Sequence, residues 1–202
     1  MTIDAPLNPP LDAKIVARLD AVCTAGWALW EQFDTEVRDH EFHPFVAADY
    51  DVVRAALVAH RQPGQRFLEW GSATGVITIM ADMLGFEAFG IELDGALVTR
   101  ARALAASFNS RATFATGSFL PTGYRFKPRD GDADMGTLGD GPSGYLQLGR
   151  ALGDFDVVFG YPWGGESPVM RDVMQQYGSP DALLLLHDTI RGVRAFQNGR
   201  EL

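Results

Sequence analysis

The sequence predicts an α/β fold in which a mostly parallel sheet carries helices on both faces. From residue 66 onward, short apolar segments of strand length alternate with segments whose apolar positions recur at helical spacing. Glycines join the first strand to the next helix, and residues 182–186 form an unbroken apolar run typical of a strand buried on both faces. Such alternation is typical of parallel sheets, because parallel neighbours need a crossover connection.

The composition is that of one globular domain with a sizeable core. The chain has 202 residues, of which 47% are hydrophobic and 11% aromatic. Its formal net charge of −9 argues against a general nucleic-acid-binding surface. No segment approaches the roughly eighteen apolar residues of a membrane span. The N-terminal region also lacks the pattern of a signal peptide, so we expect a cytoplasmic protein.

Disulfide and metal chemistry are disfavoured. Cys23 is the only cysteine, which excludes an internal disulfide and a cysteine-built metal site. No two histidines lie at metal-ligand spacing with a carboxylate. His43 and His60 are therefore interpreted as surface residues, and no metal is expected.

The N-terminal residues are expected to lie outside the sheet but within the same domain. Three prolines make residues 1–10 a loose arm. Residues 11–62 carry apolar positions at helical spacing, with Gly26 as a candidate break between two helices. Residues 42–45 interrupt them with an aromatic loop, because proline disfavours helix at the residue before it. The sheet and its helices then occupy residues 63–202.

The most informative stretch combines a strand, a glycine turn and a helix. Residues 66–70 have the pattern of a buried strand, Gly71 and Gly75 free the backbone to turn, and residues 76–84 continue at helical spacing. Without Cβ atoms the turn lets a ligand approach the backbone, and the helix N-terminus presents unpaired N–H groups. This arrangement predicts a cradle for a nucleotide-like ligand.

A second apolar strand, at residues 88–91, ends in Glu92. A carboxylate at that strand end can accept hydrogen bonds from both hydroxyls of a ribose. A third strand follows at residues 112–116 and a fourth at residues 154–160. The glycine turn and the acid together indicate a ribose-containing ligand more strongly than either feature alone.

The stretch EWGSATG, residues 69–75, resembles the first motif of the class I, Rossmann-like S-adenosylmethionine-dependent methyltransferases, usually acid-x-Gly-x-Gly-x-Gly. The stretch GIELD, residues 90–94, resembles their second motif, with Glu92 as the ribose acid. The middle glycine of the first motif is Ala73 here, as in some branches of the family. The dinucleotide fingerprint G-x-G-x-x-G would need glycine in place of Val76, so a nicotinamide cofactor is disfavoured.

The resemblance implies a sheet of spatial order 3-2-1-4-5, with one further edge strand at residues 193–196. Ligands of such sheets bind at the carboxyl ends of the strands, where the order reverses. The implied cofactor is S-adenosylmethionine, with S-adenosylhomocysteine as product. In the family an aromatic loop before the first strand often covers the cofactor, and residues 42–45 either do so or pack in the core. The implied cofactor-binding residues are Glu69, Gly71, Ser72, Ala73, Gly75, Glu92, Leu93, Gly117, Ser118 (beside the adenine), Phe119 and Tyr161.

The family carries catalytic residues after the fourth strand. The tripeptide YPW that follows this strand resembles, in part, the proline–aromatic motif of amino-methylating members, whose first position holds Asp, Asn or Ser. That position is Gly160 here, so amino-group methylation is not inferred from the motif. Packing or plain surface exposure is the alternative role for each catalytic candidate. These candidates are Tyr161, Trp163 and, at the end of the next strand, His187.

The favoured function is methyl transfer to an unidentified acceptor, either small or anionic. A non-catalytic module that binds S-adenosylmethionine or a nucleotide, as a sensor or partner subunit, is the alternative, and an oxidoreductase ranks third. Methyl transfer requires mainly alignment, so the lack of an acid–base pair does not argue against an enzyme. The irregular residues 119–144 are expected to form a mobile lid over the acceptor. A set of basic residues forms either a solvated face or a landing site for an anion: Arg100, Arg102, Arg111, Arg125, Lys127 and Arg129.

Overall fold

The computed structural model describes residues 10–38, 40, 43, 45–125, 138–139 and 141–202, in which a seven-stranded sheet is flanked by six α-helices. The strands are β1 Arg66–Trp70, β2 Glu87–Glu92, β3 Thr113–Thr116, β4 Val157–Gly160, β5 Leu183–Asp188, β6 Gly192–Gln197 and β7 Arg200–Glu201. The helices are α1 Ala13–Phe33, α2 Tyr50–His60, α3 Val76–Met83, α4 Gly95–Ser107, α5 Gly144–Leu148 and α6 Ser167–Tyr177. A π-helical segment, Asp34–Arg38, follows α1, and a 3-10 turn, Leu152–Asp154, precedes β4. None of these described helices combines the length and the apolar character that crossing a bilayer requires.

The strand order is β3-β2-β1-β4-β5-β6-β7, with the first five strands parallel and the last two antiparallel to their neighbours. The predicted order 3-2-1-4-5 is confirmed. The sequence predicts one further edge strand, whereas the structure has two. The second forms because Asn198 and Gly199 adopt positive φ angles of 47° and 73°, which is the type I′ turn that closes a two-residue hairpin.

Helix α1 runs unbroken through Gly26, so the predicted break at this glycine is wrong. A Cβ atom at Gly26 would lie 2.5 Å from Cγ2 of Val76 and 3.2 Å from the ring of Tyr50. The glycine therefore lets α1 approach the first turn of α3 closely instead of ending a helix. Residues 1–9, which make up most of the predicted loose arm, lie outside the described residues.

Strand β4 begins at Val157 and not at Asp154, where the apolar pattern first suggests a strand. The 3-10 turn Leu152–Asp154 takes the place of the first predicted strand residue, and Asp156 forms hydrogen bonds with Arg66 at the start of β1. Its carboxylate accepts the backbone N–H of Arg66 at 2.7 Å, and its own N–H donates to the carbonyl of Arg66 at 3.0 Å. These two bonds align the beginnings of the two central strands.

Two apolar clusters cover the two faces of the sheet. Because side chains alternate along a strand, Phe67 packs in one cluster while Leu68 and Trp70 pack in the other. Glu69 follows the same alternation and points to the face of Phe67, which α3 covers. Its position in β1 thus places a carboxylate inside an apolar layer.

Gly75 is required both for its backbone conformation and for its lack of a side chain. Its φ is +78°, and a Cβ atom would lie 2.6 Å from the ring of Phe114 and 2.9 Å from Cβ of Ala101. We predict that Gly75→Ala lowers the free energy of unfolding by about 2–4 kcal/mol, because it adds overpacking to the strain of a left-handed residue. Gly64 has a φ of +77° with nothing near its Cβ position. Gly64→Ala, the matched control, should cost only about 1 kcal/mol.

Urea denaturation of the two variants checks this prediction. Equal losses for both would show that backbone strain alone makes glycine necessary at position 75.

Candidate functional site

A cleft lies at the carboxyl ends of β1, β2 and β4, where the strand order reverses around β1. It encloses about 930 Å³, including the mouth that opens to solvent. The fold brings most of the predicted residues together here. Those that line the cleft are Glu69, Gly71, Ser72, Ala73, Glu92, Leu93, Gly117, Phe119, Tyr161 and Trp163.

The carboxylate of Glu69 connects the end of β1 to the first turn of α3. Its Oε2 accepts the backbone N–H of Thr78 at 2.9 Å and the Thr78 hydroxyl at 2.5 Å. Only 4% of Glu69 is exposed, and this burial raises its pKa to about 8 although both bonds from Thr78 act to lower it. One of the N–H groups that a helix N-terminus could offer to an anion is therefore already bound by a side chain.

Glu92, at the end of β2, holds the glycine-rich turn in place. Its Oε2 accepts the backbone N–H of Ala73 and its Oε1 that of Asp94, both at 2.9 Å. Burial raises the pKa of Glu92, while these backbone hydrogen bonds act to lower it. A carboxylate oxygen has two lone pairs, so each oxygen keeps the capacity to accept a bond from a ligand hydroxyl. The role of ribose acid fits this geometry and stays a prediction.

The turn between β1 and α3 has left-handed backbone at Gly71, Ala73 and Gly75, with φ angles of 70°, 43° and 78°. An alanine in this conformation carries a steric cost of about 1–2 kcal/mol. Its methyl group, however, contributes to packing on the N-terminal part of the chain. Ala73 packs against the cluster of Phe33, Phe45 and Leu97. The departure from glycine therefore adds a contact between the turn and the segment above it.

Ser72 brings a polar group without an internal partner into the cleft. Only 2% of the residue is exposed, and its Oγ makes no hydrogen bond within the described part of the chain. Gly90 makes room for it, because a Cβ atom there would lie 2.7 Å from this Oγ. A buried hydroxyl without a hydrogen-bond partner lowers the stability of the folded state. A hydrogen bond to a polar ligand atom would offset this cost.

The loop before α2 covers one side of the cleft. His43 and Phe45 line the cleft, and the ring of Phe45 also packs edge-on against Phe33, with centroids 5.2 Å apart. The loop thus both forms a wall of the cleft and packs in the core. Residues 42 and 44 of the predicted aromatic loop lie outside the described residues.

His43 fastens this loop to the residue that caps α4. Its Nδ1 accepts the N–H of Phe45 at 3.1 Å, so in the neutral ring Nε2 carries the proton. That Nε2 lies 3.2 Å from Oδ2 of Asp94, whose Oδ1 accepts the N–H of Ala96. The interpretation of His43 as a surface residue is therefore wrong. No local pattern signals a partner that lies 51 positions away.

The loop after β4 places two predicted catalytic residues at the cleft. Tyr161 and Trp163 both line it, and burial raises the pKa of Tyr161. The buried carboxylate of Glu166 fixes this loop by accepting the N–H groups of Trp163 at 2.9 Å and Leu138 at 3.2 Å. Sequence reasoning missed Glu166, although an acid within a glycine-containing loop was a visible signal.

Gly160 stands where amino-methylating relatives would carry a polar side chain. A Cβ atom at this position would lie 2.9 Å from Sδ of Met170. A side chain at position 160 would therefore have to displace the side chain of Met170 in α6, which gives a packing reason for glycine here.

Ser118 and Gly75 do not line the cleft. The N–H of Ser118 donates to the carbonyl of Pro142 at 2.9 Å, and its hydroxyl accepts the N–H of Leu120 at 3.2 Å. Ser118 thus joins the end of β3 to the segment before α5. Its assignment to an adenine contact stays a prediction that this geometry does not favour.

His187, the third catalytic candidate, also lies outside the cleft lining. Its ring packs edge-on behind Tyr161, with centroids 4.5 Å apart. Both residues line a second pocket. This pocket adjoins the cleft, because Ala47, Tyr50 and Tyr161 line both of them.

The predicted basic residues do not gather at the cleft. Arg100 pairs with Glu36, Arg102 donates to a backbone carbonyl, and Arg111 lies near Asp82. Lys127 and Arg129 lie outside the described residues, as do most residues at the centre of the predicted lid 119–144. The described arginines thus have the character of a solvated face.

The ionisable side chains of the cleft are mainly acidic. Three carboxyl groups line it, and no lysine or arginine is among the described residues that do so. The carboxylates belong to Glu69, Glu92 and Asp94. Within the same described part of the chain, no three His, Cys, Asp or Glu side chains are grouped as metal ligands would be.

The fold can be compared with known proteins. No model of a protein family matches the chain. Ribosomal protein L11 methyltransferase of Thermus thermophilus is 31% identical over 112 residues, which are 54% of this chain and 44% of that protein. The chain thus matches less than half the length of this curated relative. An RNA methyltransferase of Salinibacter ruber, solved in complex with S-adenosylhomocysteine, has a TM-score of 0.52 at 19% identity over 71% of this chain and 78% of that one.

The chain has the fold of the class I methyltransferases. The resemblance seen in the sequence is confirmed by the solved structure at the level of fold and by the curated relative at the level of sequence. Both proteins are methyltransferases by name, and the segments matched cover more than half of this chain.

Burial of Glu69 makes the stability of the ligand-free protein depend on pH. Its pKa is about 8 in the folded state against an ordinary value of 4.5. Between these two pH values the folded protein therefore keeps a proton that the unfolded chain has released. The stability that Glu69 contributes by keeping this proton is therefore fully present below about pH 4.5 and is lost as the pH rises through about 8. We predict that the free energy of unfolding falls between about pH 5 and pH 8, by up to about 1.4 kcal/mol per pH unit.

Glu69→Gln should remove this fall, because the amide oxygen can still accept both bonds from Thr78 but does not titrate. Urea denaturation at about pH 6 and about pH 8.5 measures the difference. Glu87→Gln is the control, because Glu87 is exposed and its pKa is lowered by Arg66. Parallel pH profiles for the wild type and Glu69→Gln would contradict the prediction.

Proposed function

We propose that the protein is an S-adenosylmethionine-dependent methyltransferase with a small acceptor. The observation that carries this proposal is the chemistry of the cleft lining: its carboxylic acids are Glu69, Glu92 and Asp94, and no lysine or arginine is among its described residues. A pyrophosphate would meet repulsion there. S-adenosylmethionine has no phosphate, and its sulfonium and ammonium groups outweigh its single carboxylate. Its net positive charge therefore complements the acidic groups of the cleft.

The residues present fit such a ligand. Glu92 retains acceptor capacity for the two ribose hydroxyls, and the unpartnered hydroxyl of Ser72 is available to a polar ligand atom. Phe45 and Phe119 supply apolar surface for the nucleoside. A cationic ligand would also favour the ionised form of Glu69, whose pKa burial raises.

The chemistry asks little of the protein beyond alignment. When bound, S-adenosylmethionine supplies a methyl group on a sulfonium that is already a good leaving group. The protein has to hold the acceptor in line and exclude water. In this proposal the aromatic faces of Tyr161 and Trp163 attract the cationic donor, and the Tyr161 hydroxyl orients the acceptor.

The acceptors named for the two similar proteins, a ribosomal protein and RNA, are not carried over. The curated relative is matched over only 44% of its length. The net charge of −9 and the acidic cleft also offer no attraction to a polyanion. A small acceptor fits this chain better.

The binding role of Glu92 can be measured without knowing the acceptor. We predict that Glu92→Ala weakens S-adenosylhomocysteine binding by about 1.5–3 kcal/mol, roughly tenfold to a hundredfold, since it removes charge-assisted hydrogen bonds to the ribose. Calorimetry with S-adenosylmethionine, S-adenosylhomocysteine and NAD, side by side, is the measurement. NAD should not bind.

Glu87→Ala is the matched control, because Glu87 begins the strand that Glu92 ends and is exposed. Near-ultraviolet circular dichroism checks that each variant keeps its fold. Unchanged affinity for Glu92→Ala, or preference of the wild type for NAD, would remove the proposed cofactor site.

The aromatic residues after β4 should distinguish the sulfonium from the neutral thioether. We predict that Trp163→Ala weakens binding of S-adenosylmethionine about threefold to thirtyfold more than binding of S-adenosylhomocysteine, since a cation–π contact is worth about 0.5–2 kcal/mol. Trp163→Phe keeps an aromatic face and is the control. Equal losses for both ligands would assign Trp163 to packing alone.

A further inference from the structure

A second pocket opens next to the cleft, between α1, α2 and the loop after β5. It encloses about 1050 Å³, including its open mouth. We call it the acidic pocket and define it by the residues that give it its chemistry. They are Trp27, Asp49, Asp51, Tyr161, His187 and Asp188.

The acidic pocket has a strongly one-sided charge. Three aspartates line it, and no lysine or arginine is among its described lining residues. Asp51 is paired with Arg54 at 2.8 Å, whereas no ion pair within the described residues involves Asp49 or Asp188. Arg194 and Arg191 act on Asp188 electrostatically, and Arg194 is itself bound to Glu201.

The free oxygens of these two carboxylates are available to a ligand. Oδ1 of Asp49 caps α2 by accepting two backbone N–H groups, at 3.1 and 3.2 Å. Oδ1 of Asp188 likewise accepts the N–H groups of Ile190 and Arg191, both at 2.9 Å. Within the described residues, Oδ2 of neither aspartate has a hydrogen-bond partner. Each carboxylate is thus held rigidly by one oxygen and presents the other.

Two further observations point to a ligand in this pocket. His187 is only 5% exposed, and its Nδ1 has no hydrogen-bond partner among the described residues. Burial lowers the pKa of His187 more than the carboxylates of Asp49 and Asp188 raise it, so the ring is neutral near pH 7. Trp27 is 42% exposed at the same pocket, a large aromatic surface left uncovered.

We propose that the acidic pocket receives the methyl acceptor, and that this acceptor carries a protonated amine. Carboxylates on two sides and an exposed indole are the groups that bind an ammonium ion, by charge and by cation–π attraction. The methylated atom is a second atom of the acceptor, not the ammonium nitrogen, and it carries a lone pair and a proton. As this atom takes the methyl group, the electrons of the broken bond stay on the cofactor sulfur and the proton passes to the neutral imidazole of His187. The pocket shares Ala47, Tyr50 and Tyr161 with the cleft, so an acceptor bound here lies next to the cofactor site.

This inference rests on the proposed function and chooses between the acceptor classes that the sequence leaves open. An anion would meet the carboxylates of Asp49 and Asp188 in this pocket, whereas an ammonium ion finds two partners in them. The arginines that suggest an anionic acceptor in the sequence are bound elsewhere, to Glu36 and to backbone.

The test measures binding of three probes of similar size to protein saturated with S-adenosylhomocysteine. The probes are 2-phenylethylamine, 2-phenylethanol and 3-phenylpropionate, which share a ring and a short chain but differ in charge. Calorimetry or ligand-observed NMR at millimolar concentrations gives the affinities. The amine should bind more tightly than the alcohol, and the acid should bind least.

Two variants remove charge without removing the local structure. Asp49→Asn and Asp188→Asn keep the Oδ1 acceptor that each turn requires. Each should weaken the amine about fivefold and leave the alcohol unchanged, because only the charge contact is lost. Asp12→Asn is the matched control, because Asp12 caps α1 at the end far from Trp27.

The outcomes separate the two proposals. If the wild-type protein does not bind S-adenosylhomocysteine, the proposed function itself is overturned. If the cofactor product binds but the amine does not, or binds no better than the acid, the acceptor assignment is overturned. Equal amine affinity in the wild type and both asparagine variants would overturn it as well. A fivefold loss confined to the amine supports it.

Discussion

The site depends on one buried carboxylate, that of Glu69. Strand alternation turns it toward α3, into an apolar layer that raises its pKa, and the cost is offset by two bonds from Thr78. These bonds fix the angle between β1 and α3 and therefore the shape of the turn between them. They also occupy a helix N–H group that could otherwise hold a phosphate. The same interaction thus builds the cleft and restricts its ligand.

The turn is held from its other side by parts of the chain that lie far away in sequence. Glu92 binds the N–H of Ala73, and His43 reaches Asp94 beside it, so the end of β2 anchors both the turn and the loop above it. Phe45 and Ala73 then pack in one small apolar cluster. A ligand in the cleft would therefore contact groups that already support one another, which is the condition for a preorganised site.

Much of this arrangement could be predicted from the sequence. The strand–turn–helix at residues 66–84 and the acid at Glu92 rest on local periodicity and on fixed spacing, which the chain displays directly. The order 3-2-1-4-5 also followed, because few topologies satisfy the family pattern and the parallel-sheet rules. Gly26 was misinterpreted because glycine ends helices and also allows close packing, and only the position of Val76 decides between the two.

The sequence by itself determined the fold class and part of the cleft lining, at the ends of β1 and β2 and after β4, because these features are encoded by neighbours within one strand, turn or helix. The sheet order followed from the resemblance to a family. The tertiary structure decided what those residues face. It alone joined His43 to Asp94, placed His187 behind Tyr161, and enclosed an acidic pocket between α1, α2 and the end of β5. These contacts join segments far apart in the chain, and their geometry depends on packing that no local pattern records.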